Sequence, residues 1–290
     1  MKRNIVGEKI LEKIIFIGGI SGIFILFLIF AFLLKESLGF FFRYPLKDFF
    51  LGTNWYPTSS PPKFGLIPLL LGSLFVTLGA ISISFPLGVA CAIYISEVAP
   101  SWAREFLKPL MELIAAIPSV VLGFIGLVVL VPFIKQVFNL PTGLTALAGS
   151  ITLAFMALPT ITSIAEDAIS ALPKEYKEAS FALGATHWQT IRNVLLPAAK
   201  PGILAATMLG LGRAIGETMA VLMVTGNAAV IPHTFLQPVR TMTATIAMEM
   251  GEVVKGGLHY TALFAIGLVL FVITFAVNFV ADWVINKQKR

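Results

Sequence analysis

Six long stretches of this 290-residue chain carry no charged residue: 14–34, 64–96, 113–134, 136–165, 218–239 and 256–281. About 20 apolar residues of helix cross the hydrocarbon core of a bilayer. Inside lipid a segment must satisfy its own backbone N–H and C=O groups, which a helix does without help from neighbours. The expected fold class is therefore all-α, a polytopic membrane protein with six transmembrane helices. Charged residues make up only 12% of the chain, about half the share of a soluble domain. That excludes the two soluble domains that length alone would allow.

The run 14–34 follows Lys2, Arg3, Lys9 and Lys13. It is too long for a signal-peptide core and no small-residue cleavage site follows, so it reads as a permanent first span. The run 64–96 is too short for two spans and a turn, and reads as one long helix kinked at Pro86. Within 136–165, NLPTG (139–143) marks a turn and leaves 144–165 as the fourth span. Arg213 and Glu217 conceal a fifth span over 201–225, and the sixth covers 259–283. The connection 227–257 is long enough to dip into the membrane; its shape is left open.

Six spans put both termini on one side, and Lys and Arg counts decide which. With the termini inside, the inner segments hold thirteen (2, 3, 9, 13, 104, 108, 174, 177, 192, 200, 287, 289, 290) and the outer ones seven (35, 43, 47, 63, 135, 240, 255). Both termini are thus expected in the cytoplasm, and NWYPTSSPP (54–62) centres an ordered outer loop. The net charge of +6 follows from the same asymmetry. No basic cluster with interleaved aromatics points to nucleic acid. The single cysteine, Cys91, lies in an apolar stretch and allows no disulfide framework. His187, His233 and His259 lack ligand spacing, so no metal site is expected. Pro86, Pro118 and Pro159 read as helix kinks, and Glu112, Glu166 and Asp167 as solvated or loop-pairing groups at inner span ends.

The longest inner loop, 172–202, repeats Tyr176, Ala179, Leu183, His187, Ile191 and Val194 at helical spacing. Gly184 interrupts the pattern and lets two short helices meet at an angle; Pro197 and Pro201 close the unit before the next span. Such a segment either lies on the membrane surface or docks its apolar face into a groove on a cytoplasmic partner.

Arg213 and Glu217 stand alone in the otherwise uncharged 201–239. In a helix entering the membrane at Pro201, they lie roughly 18 and 24 Å deep on one face. An arginine at mid-span costs about 2.5–3.5 kcal/mol even on the insertion scale, which makes a functional role the default. The bland alternative is a self-neutralising pair, although Arg before Glu is the weaker order. A guanidinium is always charged and offers paired donors to a tetrahedral oxyanion. Glu217 would then hold or screen Arg213 between turnovers. Gly210, Gly212 and Gly216 miss the dinucleotide fingerprint by one residue, with no strand before them.

Glu178-Ala179-Ser180, Gly184 and Val194-Leu195-Leu196-Pro197 resemble the E-A-A…G…I-x-L-P loop of ABC-importer permeases, with Ser180 and Val194 as mild departures. GRAIGETMAV (212–221) is similar to the signature of phosphate-importer membrane subunits. The stretches 55–73, 111–127 (MELIAAIPSVVLGFIGL) and 240–252 (RTMTATIAMEMGE) resemble the PstC type in particular. The likeness covers most of 50–285. It implies a type I ABC-importer permease fold: an N-terminal span with its outer loop (1–66), a transmembrane domain (67–285) and a cytoplasmic tail (286–290).

The resemblance further implies half of an ATP-driven phosphate pore in a prokaryotic inner membrane. Arg213 and Glu217 would line the pathway, and Glu178, Ala179, Gly184 and Pro197 would contact an ATPase dimer. Arg240 and Glu249 would shape an outer gate or docking face. A PstA-like second permease and a periplasmic or extracellular phosphate-binding protein are the other implied partners. The chain has no G-x-x-x-x-G-K-[ST] loop and no cofactor of its own is expected, so ATP and Mg would sit on the partner. Three rivals stand beside this reading. One is a permease for sulfate or molybdate. Another is an ion-coupled secondary transporter with Glu217 as proton carrier. The third is a non-transporting membrane scaffold.

Overall fold

The computed structural model describes residues 5–288. Among them, six helical segments are long and apolar enough to cross a membrane: Leu11–Phe41, Ile67–Val98, Ser119–Val137, Ala146–Ser170, His187–Gly216 and Leu258–Val280. The all-α, six-span class is borne out. Of the expected tail 286–290, residues 289–290 lie outside the described residues, and the last helix runs through Gln288.

In chain order, α1 (Ile5–Phe41) leads to the short α2 (Leu46–Phe50) and an antiparallel pair of two-residue strands, β1 (Trp55–Tyr56) and β2 (Lys63–Phe64). Then come α3 (Ile67–Ile93), α4 (Ser101–Ala115), α5 (Ser119–Ile125), α6 (Val131–Val137) and α7 (Ala146–Ser170). The second half holds α8 (Lys174–Ala182), α9 (His187–Thr190), α10 (Leu196–Gly216), α11 (Met219–Val224), α12 (Met242–Glu249) and α13 (Leu258–Gln288). We call the end holding α8 and α9 the base and the opposite end, with β1 and β2, the top.

Prolines explain the irregular places. Three π turns, Tyr94–Val98, Gly126–Leu130 and Ile191–Leu195, each lie two residues before a proline: Pro100, Pro132 and Pro197. In each, the residue just before the proline donates its N–H five residues back: Ala99 to Tyr94, Val131 to Gly126, Leu196 to Ile191. A proline ring clashes with the carbonyl four residues earlier and cannot bond to it. Widening the preceding turn relieves both problems; the helix then runs on through Pro132 and Pro197, whereas before Pro100 it ends at the extended Ala99 (ψ 136°). At Pro118 the helix also breaks, Pro118 itself being extended (ψ 138°); a proline further disfavours the helical region for the residue before it. The expected third span at 113–134 is thus corrected to Ser119–Val137. Its first residues belong to α4, an amphipathic helix with Trp102, Phe106 and Leu113 exposed.

Helix α7 is the axis of the bundle: α3 lies along one side and α10 along another. Glycines bring the backbones together. A Cβ on Gly79 would fall 2.3 Å from Ser150 Oγ, and one on Gly210 2.6 Å from Ile161 Cγ1. Such close approach lets helices gain dispersion contact where lipid offers no hydrophobic driving force between them. The base core joins Ala92, Ile161, Ala165, Ala199 and Ile203 from these helices. An aromatic core caps the top, where Phe40, Phe49, Trp55 and Phe64 meet ring to edge and pack on Leu263 and Ile266 of α13. The NWYPTSSPP loop is ordered through this core.

Candidate functional site

The fifth span does not run through to 225. Helix α10 ends at Gly216, Glu217 is extended (φ −68°, ψ 135°), and α11 starts afresh at Met219. Arg213 and Glu217 therefore do not share a helical face, which corrects the sequence expectation. Helical spacing counts residues, whereas the turn is decided by what Glu217 bonds. Its carboxylate Oε1 accepts from Ala220 N at 3.1 Å, capping α11, and its carbonyl accepts from Thr243 Oγ1 at 2.8 Å. A side-chain acceptor at a helix start satisfies a donor that the helix leaves unpaired.

Arg213 is half-buried on α10. Its Nη1 donates to Thr160 Oγ1 at 3.1 Å, and Nη2 to the Ala115 carbonyl at 3.4 Å. Among the described residues no carboxylate pairs with it. Both partners are neutral, so the guanidinium is oriented by α7 and the end of α4 and not by a carboxylate. That disposes of the self-neutralising pair and leaves a cation that can attract an anion.

Helix α12 joins this break to the top. Its N-cap Thr241 accepts from Ala244 N, and Met242 N donates to Ser73 Oγ of α3 at 2.9 Å. The connection 227–257 thus does turn inward, with Met242, Thr243, Ala244 and Thr245 buried. At the other end of α12, Glu249 gathers three donors. Arg240 Nη1 lies 2.8 Å from Oε1, His259 Nε2 2.8 Å from Oε2, and Trp55 Nε1 3.1 Å from both oxygens. The Glu249 side chain is only 14% exposed. Arg240 and Glu249, expected together in the outer connection, are ion-pair partners. Trp55 and His259 were missed because they lie 194 and 10 residues away from Glu249, distances that no local spacing reports.

At the base, α8 ends in a tight turn at Gly184 (φ +81°), the left-handed conformation glycine adopts without strain. Thr186 and Gln189 form a reciprocal capping box for α9. The departure at Ser180 finds its partner inside the turn: Ser180 Oγ and Thr190 Oγ1 are 2.9 Å apart and buried. Glu178, Ala179 and Gly184 are exposed, while Tyr176, Ala179, Leu183 and Val194 line an open groove. His187 and Ile191 leave the expected apolar face, because the Gly184 turn rotates the second helix. Pro197 does not close the unit. It lies at the start of α10 after a π turn, within one continuous segment from His187 to Gly216.

Salt bridges brace the base. Lys108 of α4 reaches Glu166 Oε2 and Asp167 Oδ1 of α7, each at 2.7 Å. Glu166 also accepts from Ser170 Oγ. Hydrogen bonds to Asp167 and then Glu166 hold the Lys108 pKa above the ordinary lysine value. The expected loop-pairing role of Glu166 and Asp167 is therefore met. Glu112 is exposed.

Six helices of membrane-crossing length, a broken fifth span and a buried α12 define a polytopic membrane protein whose longest inner loop is exposed at one end. Residues 84–290 match the family of binding-protein-dependent transport system inner membrane components, and the chain belongs to that family. It is 47% identical over 242 residues, 83% of this chain and 78% of the relative, to the probable ABC transporter permease protein YqgH of Bacillus subtilis. It is 37% identical over 259 residues (83% and 78%) to the phosphate transport system permease protein PstC of Mesorhizobium japonicum. It is also 31% identical over 297 residues (96% and 94%) to a probable PstC of Methanocaldococcus jannaschii. Among solved structures, a bacterial ABC transporter involved in alginate import superposes with TM-score 0.65 at 17% identity, covering 98% of this chain and 99% of that one. The MetNI methionine ABC transporter superposes with TM-score 0.57 at 23% identity (78% and 95%). These likenesses establish the type I ABC-importer permease fold.

Proposed function

We propose that this chain forms half of the pore of an ATP-driven phosphate importer. The observation that carries the reading is Arg213, held by neutral partners at a break in the fifth span, in a chain similar to several PstC permeases. A guanidinium in that setting offers parallel donors and a positive charge to a tetrahedral oxyanion. Glu217 shapes the break beside it. The exposed Glu178, Ala179 and Gly184, with Pro197 behind them, contact an ATPase subunit that binds ATP and Mg. Arg240 and Glu249 set the rigid top, on which a phosphate-binding protein docks. A PstA-like permease completes the pore. The base faces the cytoplasm, as the thirteen-to-seven distribution of basic residues favours. Residues 1–66 act as an anchoring span and outer loop, and 67–285 as the transporting domain.

The test is uptake of labelled phosphate and of labelled sulfate by the complete complex in proteoliposomes. Phosphate uptake that requires ATP, and falls by about tenfold or more with Arg213→Ala, is expected. A preference for sulfate changes the cargo. Phosphate uptake unchanged in Arg213→Ala removes the residue from the pathway.

A further inference from the structure

The base unit of α8 and α9 is continuous with α7 and α10 at its two ends. Sideways, it is tied through one carboxylate. Glu97 stands in the π turn that ends the second span, with its side chain 10% exposed, and its Oε2 lies 2.6 Å from Lys177 Nζ of α8 and 3.7 Å from His187 Nε2 of α9. Among the described residues these are the only ion pairs that reach from α8 or α9 to another element. The same turn is gripped from α4, where Arg104 donates to the carbonyls of Ile95 (2.8 Å, Nε) and Ser96. A segment clamped on both its backbone and its side chain moves as a body with whatever moves its clamps.

That body continues upward. Helix α3 packs along α7 and ends at the top, where Ser73 Oγ accepts from Met242 N of α12. One residue later, Thr243 Oγ1 donates to the Glu217 carbonyl at the break beside Arg213. Bonded contacts thus run from α8 through Glu97, α3 and α12 to Glu217, without passing along α10. Coupling between distant sites is carried by packed side chains, hydrogen bonds and rigid elements whose arrangement both sites bias.

We propose that the Lys177–Glu97 bridge is a transmission link, which passes displacement of α8 to α3 and so to the broken span; this rests on the chain being the permease of an ATP-driven importer. Glu97 and Lys177 are positioning residues, since neither touches the transported ion. Loss of the bridge leaves the base turn folded, because Ser180–Thr190 and the Thr186–Gln189 box are independent of it.

The experiment uses the assembled complex in proteoliposomes and reads anion moved per ATP hydrolysed. Glu97→Gln and Lys177→Met are each expected to lower that ratio about fivefold, with ATP hydrolysis and assembled complex near wild type. The double variant is expected to be no worse than the worse single one, as two ends of one link require. Lys177→Arg is expected to keep most of the ratio. An unchanged ratio in either single variant overturns the proposal. So do additive losses in the double variant, or losses that follow the amount of assembled complex. The wild-type complex reports separately on the importer reading: if it moves sulfate rather than phosphate, the cargo is wrong and the ratio is still read on sulfate.

Discussion

Arg213 and Glu217 are four residues apart in sequence and do different work in the structure. One is a cation steadied by a threonine hydroxyl and a carbonyl. The other is a cap that closes one helix and opens the next. If the cap is what Glu217 supplies to the fold, a neutral acceptor of the same shape preserves it. Glu217→Gln is therefore expected to melt close to wild type in detergent, and Glu217→Ala to lose about 1 kcal/mol of stability. Equal melting of Glu217→Ala and wild type would refute the capping role. Residue identity here was legible from hydropathy alone, since two charges in an apolar run demand an explanation. Their separation was not, because nothing in GRAIGETMAV announces that Thr243, 26 residues on, holds the Glu217 carbonyl.

Among the elements, two of the three proline-linked π turns, before Pro132 and Pro197, keep helices continuous where sequence rules place ends. Pro197 and Pro201 are expected to close the base unit, with the span starting at Pro201, yet the segment runs unbroken from His187. The glycines at element junctions divide into two kinds. At Gly184 an added Cβ meets nothing within 4 Å, but φ is +81°. Gly184→Ala should cost about 1–2 kcal/mol by backbone strain, and hydrogen exchange should show faster opening of 174–190 with the spans unaffected. At Gly72 a Cβ would fall 2.3 Å from the Arg240 carbonyl oxygen. Two backbones cannot yield as a side chain does, so Gly72→Ala should displace α12 from α3. Disulfide trapping between cysteines placed at 73 and 242 measures it, and undiminished crosslinking would contradict the fit.

For the whole molecule, charged groups act as braces at both ends of an apolar bundle. At the top, Glu249 joins β1, α12, α13 and Arg240, which lies just before α12. Glu249→Leu leaves Arg240 with no carboxylate, and breaking a largely buried pair in this way is strongly destabilising. Limited proteolysis within 47–63 should become faster, and an unchanged rate would show that the aromatic core alone secures the loop. At the base, the Lys108 pKa is raised. Its stabilisation is therefore complete below the ordinary lysine range and is lost only as pH rises through the higher folded value. The brace is thus constant across neutral pH. Lys108→Met leaves the Glu166 carboxylate, whose side chain is only 5% exposed, without its ammonium partner, and the melting temperature in detergent should fall at neutral pH. An unchanged melting temperature would exclude the brace.

The amino-acid sequence by itself determined that this chain is a bundle of six membrane helices, because lipid leaves an apolar segment almost no other way to satisfy its backbone. It also determined which charges stand in the wrong solvent, and where a glycine must turn the base loop. The tertiary structure alone decided which groups answer one another. Trp55, Arg240 and His259 converge on Glu249; Lys177 meets Glu97; Thr243 reaches the break at Glu217. The physical reason is range. Hydropathy and backbone strain act within a turn or a span and are written locally. Hydrogen bonds and ion pairs join whatever the packing brings within 3 Å, and packing along α7 is set by the whole bundle.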